Sequence, residues 1–183
     1  MTIASAVEAT ADRFGGLDVL VANAVRWPEG GRGPLTEVRE DEWAYALRAN
    51  LEGTASTVRR ALPHLSNSPV GRAVLISSGL SRAGMPSATA YATAKAGLDG
   101  LVAALKWEAG EKGVLVNIVS PGFTVTENNL ARFPDSVRES VRERTPSRRL
   151  SVPGGRCGGG PAVRLPRQWK LTGTYLPVAG GID

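Results

Sequence analysis

Apolar positions along this chain switch between a helical and a strand-like period. Residues 3–13 carry Ile3, Val7 and Ala11 on one helical stripe that continues to Phe14, and Gly15–Gly16 ends the predicted helix. LDVLVA at 17–22 is a short continuous apolar run, the pattern of a strand buried on both faces. Residues 26–39 mix Gly, Pro and charge and predict a loop. From about 40 to 65 the period is helical again, with Trp43, Leu47, Leu51, Val58 and Leu62 directed inward. AVLISS at 73–78 predicts a second strand, 88–111 a second long helix, and VLVNIVS at 114–120 a third strand closed by Pro121–Gly122. A polar helix is predicted over 128–145, and TGTYLPVAGG at 172–181 ends in a short strand and a glycine turn.

Continuously apolar strands separated by helices of more than ten residues predict an α/β fold with a Rossmann-like parallel sheet and helices on both faces. The 183 residues suffice for a single domain, 1–183, with its own core. In open parallel sheets ligands gather at the carboxyl ends of the strands. Small polar residues stand at those ends here: Asn23, Ser77 and Ser78, and the run from Ser120 to Thr126.

Charge changes this picture little. The net charge of +5 is uneven: residues 1–143 carry 15 basic and 16 acidic side chains, residues 144–183 carry 7 and 1. The basicity belongs to the tail, so no nucleic-acid partner is expected. No run of eighteen or more apolar residues is present, so no membrane span is expected. The N-terminal stretch has no basic region followed by an apolar one, and a cytoplasmic protein is expected. The single cysteine, Cys157, excludes an internal disulfide and a cysteine-based metal site.

The chemistry concentrates in SSGLSRAGMPSATAYATAK, 77–95. Tyr91 and Lys95 are i and i+4 on a predicted helix and share a face. An ammonium beside a phenol favours the phenolate, and a tyrosine drawn toward neutrality can exchange a proton with a carbonyl or hydroxyl. Ser78, thirteen residues earlier, ends a predicted strand, where its hydroxyl can hold a substrate oxygen against the tyrosine. Asn50 lies inside a predicted helix, where asparagine is a poor former; buried there, its amide is expected to hold a water or a carbonyl.

These segments together resemble the short-chain dehydrogenase/reductase family. LDVLVANA resembles that family's segment ending in NNAG, with Ala22 for its first Asn and Val25 for its Gly. DEWAYALRANLEGT resembles the stretch with the helical asparagine, and VLISSGLSRAGMPSATAYATAKAGL the serine and YxxxK region. VNIVSPGFTVTE and LTGTYLPVAGGID resemble the later motif and the closing strand. The resemblance implies hydride transfer between NAD or NADP and a ketone or secondary alcohol. Tyr91 would be the general acid/base, Lys95 would lower its pKa and bind the nicotinamide ribose, and Ser78 would orient the substrate oxygen. Asn50 would hold a relay water. Asn23 would lie against the adenine-side ribose, and Pro121, Gly122, Thr124 and Thr126 around the nicotinamide. The resemblance also implies a homodimer or homotetramer paired through the two long helices.

Two departures qualify the resemblance. No glycine-rich turn precedes Asn23, so the family layout implies that strands one to three and two helices lie upstream of Met1. The fold expected for this chain therefore lacks the first βαβαβ half, and 17–22 becomes a bare sheet edge. PGGRCGGGPAVRLPRQWK, 153–170, replaces the family's acidic helix start with Gly and Arg without period, the composition of a loop or of codons read out of frame. The alternative to an enzyme is a cofactor-free scaffold. Other residues read plainly: His64 as a helix-end or surface residue, Trp43 as core, Trp27, Leu80, Met85 and Phe123 as neighbours of the crevice.

Overall fold

A computed structural model describes residues 3–27, 33–153 and 171–182. Its elements in chain order are α1 (Ile3–Phe14), β1 (Val19–Ala22), α2 (Glu40–Leu47), α3 (Gly53–Ser66), β2 (Arg72–Ile76), α4 (Leu80–Ala83), α5 (Thr89–Gly110), β3 (Leu115–Pro121), α6 (Glu127–Arg132), α7 (Asp135–Arg144) and β4 (Tyr175–Val178). The four strands form one parallel sheet in the order β1-β2-β3-β4. Pro177 sits in β4, at the edge, where a missing N–H breaks no ladder.

Strand register sets the core. Ala22, Leu75 and Ile118 are aligned across β1, β2 and β3, and all three are buried. Val58, Ala61 and Leu65 of α3 and Leu98, Val102 and Leu105 of α5 pack with them. The Gly97 hydrogen faces Leu51, and a Cβ there would lie 2.7 Å from Leu51 Cδ2. That absence of a side chain lets α5 cross close against the segment between α2 and α3.

Four sequence expectations change. β1 is not buried on both faces: Val19 and Val21 are 39% and 55% exposed. Among the described residues β1 is an edge strand, and the alternation of its pleat leaves one side uncovered. Phe14 leaves the buried stripe and is exposed, because it is the last residue of α1 before Gly15 turns to φ +78°; the Arg13 guanidinium lies over its ring. The polar helix divides at Phe133–Pro134, since a residue before proline is driven out of the helical region. The helix expected over 40–65 is interrupted by a π-turn at Arg48–Glu52. Such an insertion is frequent at functional sites, and Asn50 stands at its centre. The glycine- and arginine-rich stretch from 154 to 170, Cys157 included, lies outside the described residues.

Candidate functional site

Ser78, Tyr91 and Lys95 come together where β2 ends and α5 begins. β2 is completed by Ser77, whose N–H donates to the Val119 carbonyl at 2.8 Å and whose hydroxyl donates to the Lys95 carbonyl at 3.2 Å. The strand is thereby fixed to the helix that carries the reactive face. Ser78 follows on a turn in which the Leu80 N–H donates to its Oγ at 3.3 Å. The Ser78 side chain acts on the Tyr91 phenol and draws its pKa down. Lys95 is 2% exposed, and its Nζ donates to the Ile76 carbonyl at 2.8 Å, capping the end of β2.

The electrostatics differ from the sequence expectation. Burial pushes the Tyr91 phenol above its ordinary value, and the Ser78 side chain offsets part of that rise. The Lys95 ammonium lies 5.9 Å from the centroid of the Tyr91 ring. Held by the Ile76 carbonyl, it does not reverse the effect of burial. Lys95 itself is lowered to about 8, because its charged form loses hydration inside the fold. The expected depression of the phenol by the ammonium is thus corrected: here the tyrosine holds its proton and the lysine is the group brought near neutrality.

Asn50 is fully buried, and its amide is occupied by protein rather than left free. Its Oδ1 accepts from the Arg26 N–H at 3.0 Å, and its Nδ2 donates to the Arg26 carbonyl at 2.7 Å and the Ala46 carbonyl at 3.0 Å. Both amide protons are engaged, so a water could meet this side chain only at a remaining Oδ1 lone pair. The reciprocal pair with Arg26 pins the loop after β1. Next along that loop, Trp27 lies against Tyr91, ring centroids 4.3 Å apart and planes tilted by 47°. The tryptophan therefore walls the phenol. Asn50→Ala is expected to lower stability by about 2 kcal/mol, because the Arg26 backbone groups lose their partner. Urea unfolding followed by tryptophan emission checks this, with a red shift of native emission as the loop releases Trp27.

The remaining predicted positions surround the same ends of the sheet with mixed roles. Asn23 is exposed just past β1. Pro121 ends β3, and Gly122 follows where a Cβ would fall 2.9 Å from Ala179. Thr124 donates from its hydroxyl to the Gly122 carbonyl at 3.2 Å. Thr126 is the N-cap of α6, accepting from the Asn129 N–H at 3.2 Å. Phe123 packs edge-on against Phe133. His64 stands in the last turn of α3, 3.2 Å from a Glu8 carboxylate oxygen, as a surface contact between α3 and α1. No cluster of metal-ligating side chains occurs among the described residues.

Two neighbours escaped the sequence reading. Tyr175 donates to Ser120 Oγ at 2.6 Å, and the Arg82 guanidinium stacks on its ring. The available signal was weak: a tyrosine in a four-residue strand reads as ordinary packing.

The donor set suits the nicotinamide end of a dinucleotide. A phenol and a serine hydroxyl can flank one carbonyl oxygen, and an ammonium suits a ribose diol. Among the described residues no glycine-rich turn leads from a strand into a helix, so these residues would hold only that end.

A family model described as Enoyl-(Acyl carrier protein) reductase matches residues 1–182. D-beta-hydroxybutyrate dehydrogenase of Rhizobium meliloti (strain 1021) is 34% identical over 137 residues, 74% of this chain and 52% of that protein. The 3-oxoacyl-[acyl-carrier-protein] reductase of Vibrio cholerae serotype O1 is 29% identical over 181 residues, 99% of this chain and 72% of that protein. The solved short-chain dehydrogenase/reductase of Serratia marcescens BCRC 10948 superposes with a TM-score of 0.84 at 26% identity, covering 98% of this chain and 71% of that one. The chain thus spans about half the length of the first of these relatives.

Proposed function

The chain belongs to the short-chain dehydrogenase/reductase family, and from that premise we propose that its protein is an NAD- or NADP-dependent oxidoreductase acting on a ketone or secondary alcohol. The observation that carries the reading is the meeting of Ser78, Tyr91 and Lys95 at the end of β2, where Lys95 Nζ donates to the Ile76 carbonyl and the Ser78 side chain acts on the phenol. When bound, the cofactor would supply or accept the hydride at the carbonyl carbon. Ser78 would hold the substrate oxygen. Tyr91 would donate its proton to that oxygen in reduction and take one from the alcohol in oxidation. Lys95 would bind the nicotinamide ribose hydroxyls and restore the phenolic proton. Asn50 would act by holding the loop that carries Trp27. Asn23, Pro121, Gly122, Thr124 and Thr126 would border the cofactor.

The relatives are named for oxidoreductase activities, several on acyl or hydroxy-acid substrates, and a small carbonyl compound is the proposed substrate class. No helix among the described residues is long and apolar enough to cross a membrane. A cytoplasmic homodimer or homotetramer is proposed. The scaffold alternative is not favoured, since the relatives are named for oxidoreductase activities.

Titrating the chain with NADPH and NADH tests the reading. Binding is expected to quench tryptophan emission, with the quench reduced in Trp27→Phe because that ring walls the crevice. Mixing with 3-oxoacyl thioesters and simple ketones is expected to oxidise the bound nicotinamide. No quench and no oxidation across the panel would overturn the proposal.

A further inference from the structure

We propose that Trp27 is a positioning residue that keeps water off the Tyr91 phenol, and that Asn50 sets its place through the Arg26 peptide. The inference rests on the reading of Tyr91 as the proton-transfer group. Asn50 exchanges hydrogen bonds with both backbone groups of Arg26: Oδ1 accepts from the N–H at 3.0 Å, and Nδ2 donates to the carbonyl at 2.7 Å. That carbonyl belongs to the planar unit joining Arg26 to Trp27, so the amide fixes the direction in which the chain enters Trp27. The amide itself is held. Asn50 is fully buried, and its Nδ2 also donates to the Ala46 carbonyl at 3.0 Å. Its own carbonyl accepts from the Thr54 hydroxyl at 3.1 Å.

The turn that carries Asn50 is seated on the helix that carries Tyr91. The Gly53 N–H reaches back to the Arg48 carbonyl and closes the π-turn. Leu51, next to Asn50, occupies the space beside Gly97, where a Cβ would lie 2.7 Å from Leu51 Cδ2. Gly97 is less than two turns beyond Tyr91 on α5, about 9 Å along the axis. The contacts therefore close a circuit. It runs from Tyr91 along α5 to Gly97, across to Leu51 and Asn50, through Arg26 to Trp27, and back to the Tyr91 ring at a centroid distance of 4.3 Å. The frame, rather than the attraction of the two rings, sets where the indole stands.

Trp27 is half-buried and Tyr91 is 7% exposed, so the indole keeps contact with solvent and the phenol does not. Removing the indole opens the tyrosine to water, and water favours the phenolate over the neutral phenol. The charged groups on the elements around this pair are Lys95, 5.9 Å from the Tyr91 centroid, and the exposed Arg26, Arg48 and Glu52. The Ser78 side chain also acts on the phenol. A substitution at Trp27 changes none of these groups, so its effect on the phenol reports water.

The test labels the full chain with 3-fluorotyrosine, whose fluorine brings phenol ionisation nearer neutral pH, and follows Tyr45, Tyr91 and Tyr175 by fluorine NMR. Trp27→Ala is expected to lower the Tyr91 titration midpoint by roughly half a unit. Trp27→Phe is expected to lower it by less, since a smaller ring still covers part of the phenol. Asn50→Ala is expected to lower it as well, and adding Asn50→Ala to Trp27→Ala to lower it no further. The Tyr175 midpoint is expected to stay in place throughout, which a general loosening of the fold would not give. An unmoved Tyr91 midpoint in Trp27→Ala overturns the proposal. So does an unmoved midpoint in Asn50→Ala, an additive double variant, or a Tyr175 midpoint that moves in step. If either alanine variant does not fold, Trp27→Phe and Asn50→Ser are read by the same criteria. The measurement needs no nicotinamide, so a failed cofactor titration and an unmoved Tyr91 are separate results.

Discussion

Tyr91→Phe is expected to lower carbonyl reduction by about 10²–10⁴-fold while leaving nicotinamide affinity unchanged. In the proposed function the phenol is the proton donor, and phenylalanine keeps its ring against Trp27 while deleting the acid. The proton then has to come from water, without a positioned group to deliver it. The raised pKa of the buried phenol adds a direction: it is protonated at neutral pH and ready to act as an acid. Reduction by the wild-type chain is therefore expected to hold steady through neutral pH and fall in alkali, whereas alcohol oxidation, which needs the phenolate, climbs. Steady-state rates in both directions, with fluorescence titration of the cofactor, check the expectation. A phenylalanine variant within about tenfold of wild type would place the proton donor elsewhere.

Lys95→Met is expected to abolish a rise of stability with pH that the wild-type chain shows between about 8 and 10.5. Below about 8 the lysine is charged in both states, and the folded state carries the full cost of burying it. Between about 8 and 10.5 the folded lysine has lost its proton while the unfolded one retains it. The unfolded state then binds more protons, so stability increases with pH. Above 10.5 both are neutral and the cost is gone. The whole change is on the order of 3 kcal/mol. Tyr91 acts oppositely at the top of the window. Its folded value lies above 10.0, so past that pH the unfolded phenol deprotonates first and stability falls. Urea midpoints at several pH values from 7 to 10 provide the measurement. Parallel curves for the two proteins would mean that Lys95 is hydrated in the folded chain. The variant is also expected to lose nicotinamide binding, the role proposed for Lys95.

Elements with a long uninterrupted period are legible in the sequence alone. The core of α5, the strands β2 and β3, and the spacing that puts Tyr91 and Lys95 on one face follow from neighbours four residues apart or fewer. Asn50 was also readable as an anomaly, since an amide in a helical run competes with the backbone. Its partner was not. The Arg26 backbone lies 24 residues away, on a loop whose path depends on where β1 ends.

By itself, then, the sequence determined the alternation of strands and helices, the parallel sheet, and which residue types are candidates for the proposed chemistry, because periodicity and side-chain reactivity are local properties. Tertiary structure alone decided that Trp27 walls Tyr91, that Tyr175 reaches Ser120 and Ser78, and that one side of β1 stays open. It also decided that the buried phenol rises and the buried lysine falls toward neutrality. Those outcomes depend on desolvation and on contacts spanning 55 to 97 residues of chain, which strand register and helix crossing create and no local pattern encodes.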